Sequence, residues 1–334
     1  MLKNKLKELL IFVFRRLKLL LRPWPRFRRF INTWPKLIGS LALAFVLLYY
    51  PLGALISENI DTNTEYEIVK RGNASATIDT MSFLIRRELY TKSWTPALPF
   101  FFPAAILDNM PAFQLGLMRP ISRTTQLLSA KMDKSTAEAD KSPLHAAAEL
   151  LRYPGTIWMF SADNKLVPAP SSNSQYRRAR KQLDKYNNML ANGQALFETS
   201  PQNLAYILSG IKKDMAKSDR RLETQIREYS SSFYDGKADN VFYYQQGQMY
   251  SYFLLLKALS HDFKSTIVDN GIYQSWTSLL KSLEDAAHLS PLIIRNAELD
   301  ASFSPNHLAI IGYYNRKAML AIQSMLNTLK DSTK

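Results

Sequence analysis

The 334-residue sequence contains no cysteine, and this absence excludes several kinds of site at once. Without thiols the chain can form no disulfide, no thiolate zinc site and no cysteine nucleophile. Histidine is scarce as well, and no two of the four histidines have the i, i+4 spacing of a metal-binding helix. We therefore expect no metal site and interpret His145, His261, His288 and His307 as helix-face or capping residues.

The common catalytic signatures are missing too. There is no G-x-x-x-x-G-K-[ST], G-x-G-x-x-G, G-x-S-x-G or H-E-x-x-H motif. S-x-x-K occurs at Ser209–Lys212 and Ser278–Lys281, but without K-T-G or a predicted sheet, so both serines are interpreted as helix-face residues. We predict no catalytic residue and no cofactor. One enzymatic alternative stays open, an all-α cell-wall enzyme built on a single buried glutamate, for which Glu198, Glu223 or Glu284 would serve.

One apolar run dominates what the chain does contain. Leu37–Ile56 is a stretch of 20 consecutive uncharged residues. At about 1.5 Å rise per residue a helix of this length covers about 30 Å, the hydrocarbon thickness of a bilayer. The run is apolar all round, whereas a buried helix of a soluble protein is usually shorter and amphipathic. We predict a single transmembrane helix over residues 37–56, with Tyr49 and Tyr50 near an interface.

Positive charge is concentrated before this run. Residues 1–36 carry eleven Lys and Arg and one acid, whereas the rest of the chain carries 32 basic and 27 acidic residues. Positive residues that flank a span stay on the cytoplasmic side. The charge distribution therefore predicts a bacterial inner-membrane protein with a cytoplasmic N-terminus and a periplasmic domain over residues 57–334. The basic region is long for a cleaved signal peptide and no A-x-A site follows the run, so an uncleaved signal anchor fits better.

The basic tail has the composition of an interfacial amphipathic helix. Residues 2–21 mix Leu, Ile and Phe with Lys and Arg. A polybasic segment gains about 1 kcal/mol per Lys or Arg near anionic lipid, so we expect the tail on the anionic inner leaflet and expect no nucleic-acid partner. Pro23, Pro25 and Pro35 are predicted to break the helix before the span, and Trp24 and Trp34 beside them are predicted interface anchors. The expected membrane-surface residues are Arg15, Arg16, Lys18, Arg22, Arg26, Arg28 and Arg29.

After the span, helical periodicity dominates and no convincing run of alternating strands occurs. We predict an all-α fold, in which a helical-bundle domain is either single or split into two sub-bundles near residues 153–172. The last helix is predicted to start with Ser304 as N-cap and Pro305 at its first position. The other predicted helices of the domain are 77–90, 119–132, 144–152, 176–190, 203–229, 239–268 and 272–287.

A segment rich in proline and phenylalanine interrupts these helices. Ser93–Pro111 contains four prolines, which rule out a continuous helix, and three consecutive phenylalanines. The segment is either an irregular piece packed on the domain or a hydrophobic loop that touches a membrane or a partner.

Several short polar motifs stand in apolar surroundings. They are DNMP at 108–111, SQYRRARKQLDKY at 174–186, ADNVFYYQQGQMY at 238–250, LSPLI at 289–293 and SPNHL at 304–308. In these motifs and their order the chain resembles a proteobacterial family of inner-membrane-anchored proteins known only as a domain of unknown function. The resemblance runs from the span to the C-terminus. It implies one N-terminal anchor, a large helical domain and no established activity.

Three pairs in these motifs invite a structural hypothesis. Asp108–Asn109, Asp239–Asn240 and Asn306–His307 each place short polar side chains beside apolar residues. We rank helix capping first. Alternatively the three pairs meet, closed by Tyr176 and Arg177, because an unsatisfied buried polar group costs about 1–3 kcal/mol. The candidate binding residues are therefore Asp108, Asn109, Tyr176, Arg177, Asp239, Asn240, Asn306 and His307.

Anchor, missing signatures and Pro/Phe-rich segment together favour one function. We predict a non-enzymatic, membrane-anchored periplasmic helical protein that binds another component of the cell envelope. The alternative is an all-α hydrolase or lyase that acts on the cell wall. The sequence indicates neither the identity of the partner nor the oligomeric state.

Overall fold

The computed structural model of the chain describes residues 25–67, 72–132, 142–160, 168–230, 235–299 and 304–331. Within these ranges the chain is helical and has no β-strand, only isolated bridges between Phe160 and Pro168 and between Asn296 and Asn306. The all-α prediction is confirmed. The chain divides into two compact units, Met1–Gly53 and Ala54–Lys334.

Helix α1 runs from Pro25 to Ser57 and contains the apolar run. Its stretch Trp34–Leu55 is long and apolar enough to cross a membrane, and only 6% of the most apolar window is buried. The helix continues through Pro35 and Pro51, so the predicted break at Pro35 is wrong. A proline removes one backbone hydrogen bond, and membrane-type helices of strong apolar character tolerate that loss.

The predicted interfacial helix over residues 2–21 lies outside the described residues. Four of the membrane-surface candidates lie outside them as well: Arg15, Arg16, Lys18 and Arg22. The remaining three candidates belong to the start of α1: Arg26, Arg28 and Arg29.

The second unit is built from helices, with a π-helical turn at Arg87–Thr91 and a 3-10 turn at Pro103–Ile106. Its described helices are α2 Ala76–Arg86, α3 Asn109–Met132, α4 Pro143–Leu150, α5 Ser172–Ala191, α6 Pro201–Tyr229, α7 Ala238–Asp262, α8 Lys264–Asp269, α9 Tyr273–Ala287 and α10 His307–Asp331.

Helix α3 begins ten residues before its predicted start at Arg119. Pro111 lies in the first turn, where backbone N–H groups have no intrahelical partner, so a proline there costs little. Pro120 lies inside the same helix and does not end it. Pro111 was interpreted as one of the prolines that prevent a helix in Ser93–Pro111, and it is accommodated at the start of α3.

Two further boundaries differ from the predictions. The helix predicted over 239–268 is divided at Phe263, whose backbone leaves the helical region (φ −101°, ψ 24°). The last helix begins at His307, and its cap is Asn306, whose Oδ1 accepts from the N–H of Ala309 at 2.8 Å. Ser304 is therefore not the N-cap, because the carboxamide two residues later reaches the first-turn amide.

Helix α7 lies at the centre of the second unit and is buried along most of its length. It approaches α3 so closely that no side chain fits at the crossing. A Cβ atom at Gly116 would lie 1.9 Å from the carbonyl oxygen of Tyr244, and one at Gly247 would lie 2.1 Å from that of Phe113. Glycine at both positions therefore lets the two backbones touch.

The end of α7 also fixes the start of α2. The carboxylate of Asp262 accepts from the N–H groups of Ala76 at 2.9 Å and Thr77 at 3.0 Å, and from the hydroxyl of Ser75 at 2.7 Å. Amides that begin a helix are otherwise unpaired, so this carboxylate caps α2 from a distant part of the chain. Leu151 and Tyr176, on either side of the connection at 153–172, belong to the same core.

Candidate functional site

A buried carboxylate joins three helices in the interior. Asp214 of α6 is 3% exposed and accepts from Arg119 Nε at 2.8 Å, from Tyr252 Oη at 2.9 Å and from Gln248 Nε2 at 3.1 Å. Burial, together with the nearby Asp214 carboxylate, raises the pKa of the Tyr252 hydroxyl, so this group remains a donor. The charge of Asp214 is therefore already compensated within α3, α6 and α7.

A second buried network holds the Pro/Phe-rich segment in place. Glu88 is 1% exposed and accepts from Arg87 Nε at 2.8 Å and from Gln114 Nε2 at 3.0 Å. The carboxamide oxygen of Gln114 in turn accepts from the backbone N–H of Thr95 at 2.9 Å and from its hydroxyl at 2.8 Å. The start of the segment is thus fixed by hydrogen bonds that solvent cannot reach.

Aromatic packing also fixes the start of the Pro/Phe-rich segment. Trp94 is 3% exposed, and its Nε1 donates to the carbonyl of Gly155 at 2.8 Å. Its ring meets that of Tyr176 edge to face, with centroids 5.2 Å apart. The hydroxyl of Tyr176 donates to the carbonyl of Tyr153 at 3.0 Å. Tyr176, a predicted binding residue, is therefore a buried residue of this support.

After the buried start of the segment, the side chains of residues 100–102 are exposed. Together with the exposed side chains of residues 158–160 they form what we call the aromatic surface. Its six members come from two loops and are between 38% and 81% exposed. Phe101 and Trp158 join the two loops, with ring centroids 5.4 Å apart. Of the two interpretations of the Pro/Phe-rich segment, the structure therefore supports the exposed hydrophobic loop. The aromatic surface consists of Phe100, Phe101, Phe102, Trp158, Met159 and Phe160.

A groove of about 630 Å³ adjoins the aromatic surface. Leu98, Trp158 and Met159 contribute to its apolar lining, and Arg177 contributes a cation. The guanidinium of Arg177 stands 4.7 Å from the ring centroid of Tyr90. Arg177, predicted as a binding residue, thus lies beside the exposed aromatic groups.

Two of the three polar pairs, Asp108–Asn109 and Asp239–Asn240, come close together, whereas Tyr176 and Arg177 do not line the cavity that these two pairs share. Asp108 and Asn240 line one cavity of about 550 Å³ between α3, α6 and α7. Burial raises the pKa of the Asp239 carboxyl, and the nearby charge of Asp108 raises it further. Each aspartate also contacts the start of its own helix, since the N–H of Asn109 donates to Asp108 and that of Asn240 to Asp239, both at 2.9 Å. Each aspartate therefore forms a hydrogen bond within its own pair and also lies close to the other pair.

The third pair lies elsewhere, and this part of the hypothesis is wrong. Asn306 Nδ2 donates to Asn296 Oδ1 at 2.9 Å, and His307 Nδ1 accepts from the N–H of Arg295 at 3.0 Å. Burial lowers the pKa of His307, consistent with a neutral ring that accepts. Both side chains form hydrogen bonds with residues of the loop before α10, so their polar groups are satisfied without the other two pairs.

The glutamates named for the enzymatic alternative do not line either cavity described above. Glu284 accepts from the hydroxyl of Thr64 at 3.4 Å, and His288 Nε2 lies 3.1 Å from the same oxygen. Across the described part of the chain, no three His, Asp or Glu side chains form a group that would hold a metal ion.

Sequence comparison places these features in a family. The family model described as "Uncharacterized protein conserved in bacteria (DUF2333)" matches residues 75–233 and 211–331. These overlapping matches span well over half of the chain and include most of the second unit. No curated protein and no solved structure matches the chain.

Proposed function

The chain belongs to this family of uncharacterised bacterial proteins, and we propose that it is an inner-membrane protein whose helical domain binds another protein of the cell envelope. The N-terminus lies in the cytoplasm and the second unit in the periplasm. The aromatic surface is the observation that carries the binding role.

The topology rests on α1 and on the charge before it. Most apolar side chains of Trp34–Leu55 are exposed, and residues 1–36 carry eleven basic residues against one acid. Basic residues next to a span are retained in the cytoplasm. A reporter that is active only outside the cytoplasm, fused after Lys334, is expected to be active. If this fusion is silent and a cytoplasmic reporter at the same site is active, the second unit lies in the cytoplasm and the proposed topology is wrong.

The tail adds a lipid contact of its own. Arg15, Arg16, Lys18 and Arg22 place four positive charges among apolar residues. A peptide of residues 1–30 should bind anionic vesicles and lose affinity as salt screens the charges. Equal binding to neutral vesicles at every salt concentration would remove the electrostatic contact with the inner leaflet.

The aromatic surface suits protein binding because it is both exposed and firmly supported. Burying a side chain of this size is worth about 1.5–3 kcal/mol. Since Trp94 and Thr95 are fixed by buried hydrogen bonds, little of that gain is lost in ordering the loop. A contiguous apolar patch on a protein surface is typical of an interaction site, whereas apolar residues that are exposed singly are common and need no such explanation.

The groove defines the chemistry of the partner. Trp158 and Met159 offer apolar contacts, and Arg177 offers a cation at their edge. Arg178 and Lys181 are exposed on the same helix and add positive charge. The expected partner is a protein segment that presents apolar side chains flanked by an acidic one.

Photo-crosslinking in living cells tests this role. A photoreactive amino acid is placed in the full-length chain at Phe100, which is 81% exposed, and at Leu320 of α10, which is 71% exposed, as the control. Phe100 should give a discrete protein adduct, Leu320 should not, and Arg177→Glu should reduce the Phe100 adduct. Identical adducts from both positions, or adducts with lipid alone, would contradict a protein partner.

One observation favours the enzymatic alternative, a hydrolase or lyase that acts on the cell wall. The carboxyl of Asp239 lies close to a second carboxylate, Asp108, and burial raises its pKa. Two neighbouring carboxyl groups beside a cavity, one of them with a raised pKa, are the arrangement from which a general acid is built. The full-length protein would then release soluble fragments from purified cell wall, and Asp239→Asn would abolish the release. Without fragments from the wild-type chain, this alternative fails while the binding role stands.

A further inference from the structure

The cavity between α3, α6 and α7 is separate from the aromatic surface and shares no lining residue with its groove. Its volume of about 550 Å³ falls in the range of small-ligand sites. Most of its wall is apolar, with contributions from Pro111, Leu115, Leu222 and Val241. A ligand here would bury an apolar body.

One buried polar group in this wall has no partner. Gln245 is 2% exposed, lines the cavity, and its Nε2 makes no hydrogen bond within the described residues. Its neighbours on α7 differ, since Gln246 Nε2 donates to the carbonyl of Ala287 at 3.0 Å and Gln248 Nε2 donates to Asp214 at 3.1 Å. A buried donor without an acceptor is unfavourable, so Gln245 points to an acceptor that a ligand would bring.

The same wall contains a buried acceptor without a partner. Asn240 lines the cavity, and its Oδ1 has no hydrogen-bond partner among the described residues. The residues that line the cavity therefore include one with an unpaired N–H donor, Gln245, and one with an unpaired carbonyl acceptor, Asn240.

Charges of both signs border these groups. Arg221 and Lys237 contribute cations to the lining, and Asp108 contributes a carboxylate. The guanidinium of Arg221 lies 6.0 Å from the ring centroid of Tyr244. Together the lining would match a ligand that carries a negative and a positive group at once.

We propose that this cavity binds a short apolar peptide. Peptide carbonyls and a terminal carboxylate would accept from Gln245 and Arg221, while peptide N–H groups and a terminal ammonium would donate to Asn240 and Asp108. Apolar side chains would fill the space beside Leu115 and Leu222. A fatty acid matches less well, because it has no donor for Asn240 and its carboxylate would meet the like charge of Asp108.

Calorimetric titration of the full-length protein in lipid nanodiscs tests the proposal, with trileucine as the probe. Wild-type protein should bind trileucine at least tenfold more tightly than decanoate, which carries a carboxylate and an apolar chain but no N–H. Gln245→Leu keeps the size of the side chain and removes the donor. This variant should bind trileucine at least tenfold more weakly.

A matched control separates the cavity from burial of glutamine in general. Gln175 of α5 is 7% exposed, also has an unpaired carboxamide oxygen, and does not line the cavity. Gln175→Leu should bind trileucine as the wild type does. Arg221→Gln changes an exposed residue and should also weaken binding, so it serves if Gln245→Leu does not fold.

Three outcomes would overturn the proposal. The first is a folded wild-type protein that does not bind trileucine, and the second is undiminished binding by a folded Gln245→Leu or, in its place, by Arg221→Gln. The third is decanoate that binds as tightly as the peptide, which would make the site a lipid site. None of these results bears on the aromatic surface, which has its own crosslinking test.

Discussion

Helices α1 and α7 are both long and rich in apolar residues, yet their side chains lie in opposite surroundings. In α1, Phe45 and Leu47 are each 63% exposed, whereas in α7 Leu254 is 0% and Leu256 is 1% exposed. The difference lies in what each helix carries besides apolar groups. Helix α7 has a glycine, Gly247, at its crossing with α3, and two glutamines, Gln246 and Gln248, that donate hydrogen bonds to other helices. Such residues stabilise a helix that packs against other helices of the protein. The apolar run of α1 has no charged or amide side chain, as suits a helix surrounded by lipid.

The largest effect is expected from closing the α3–α7 crossing. In Gly247→Ala the new methyl group would lie 2.1 Å from the carbonyl oxygen of Phe113. The two backbones would have to separate, and we expect a loss of about 3 kcal/mol of unfolding free energy, the upper end for an overpacked core, or no folded domain. Urea unfolding followed by circular dichroism of the full-length protein measures this loss.

A second glycine provides the control for that experiment. At Gly312 of α10 an added Cβ would meet only Leu222 Cδ1 at 3.7 Å, an ordinary contact. Gly312→Ala should therefore stabilise the domain by about 0.5–1 kcal/mol, because alanine favours a helix. Equal losses in both variants would show that the close crossing is not what makes α7 sensitive.

The next largest effect should come from the buried charge beside α7. Asp214→Ala leaves Arg119, Gln248 and Tyr252 without their common acceptor. We expect a loss of about 3 kcal/mol, at the lower end for a broken buried pair because the Arg119 side chain is 43% exposed. Glu149→Ala is the control, since its pair with Arg152 at 3.0 Å is exposed on both sides and its loss should cost less than about 1 kcal/mol. A similar loss in both variants would contradict a special role for the buried pair.

Charge in the middle of α1 should act on membrane retention and leave the domain intact. Arginine at the centre of a span costs about 2.5–3.5 kcal/mol of insertion free energy. We expect Leu47→Arg to lower the fraction that stays in washed membranes without changing the melting temperature of the domain. Leu254→Arg in α7 should do the reverse, since it places the charge in the protein core. Domain instability in Leu47→Arg would mean that protein, not lipid, covers α1.

The fold was predictable where the pattern is local. The 20 uncharged residues of Leu37–Ile56 and the helical period of α6 and α9 each need only their own stretch of sequence. The start of α3 was missed because Pro111 looks the same in a first turn as in a loop. Asp214 and Gln245 were missed for another reason. What matters about them is a partner, present or lacking, on elements far away in sequence, and no local pattern records it.

The smallest effect is expected from Asp239, at the start of α7, whose carboxyl makes the stability of the domain depend on pH. Burial raises the pKa of its carboxyl above the usual value of 3.8, and the charges of Asp108 and Asp235 raise it further, although its bond from the N–H of Asn240 opposes the change. The folded state therefore holds this proton more tightly than the unfolded state. Its contribution to stability is full below pH 3.8 and is lost as the pH rises through the folded-state pKa.

Asp239→Asn removes the charge and keeps an oxygen that can accept from Asn240. At pH 7 we expect the variant to be more stable than the wild type by less than about 1 kcal/mol, because the carboxyl is partly exposed and solvent screens the charges of its neighbours. The difference should vanish below pH 3.8, where the wild-type carboxyl is protonated as well. Melting temperatures of both chains between pH 3 and 8 measure it. If the variant is less stable at pH 7, the attraction between the carboxylate and the first turn of α7 outweighs burial and the neighbouring charges, and the carboxylate is present to begin the helix.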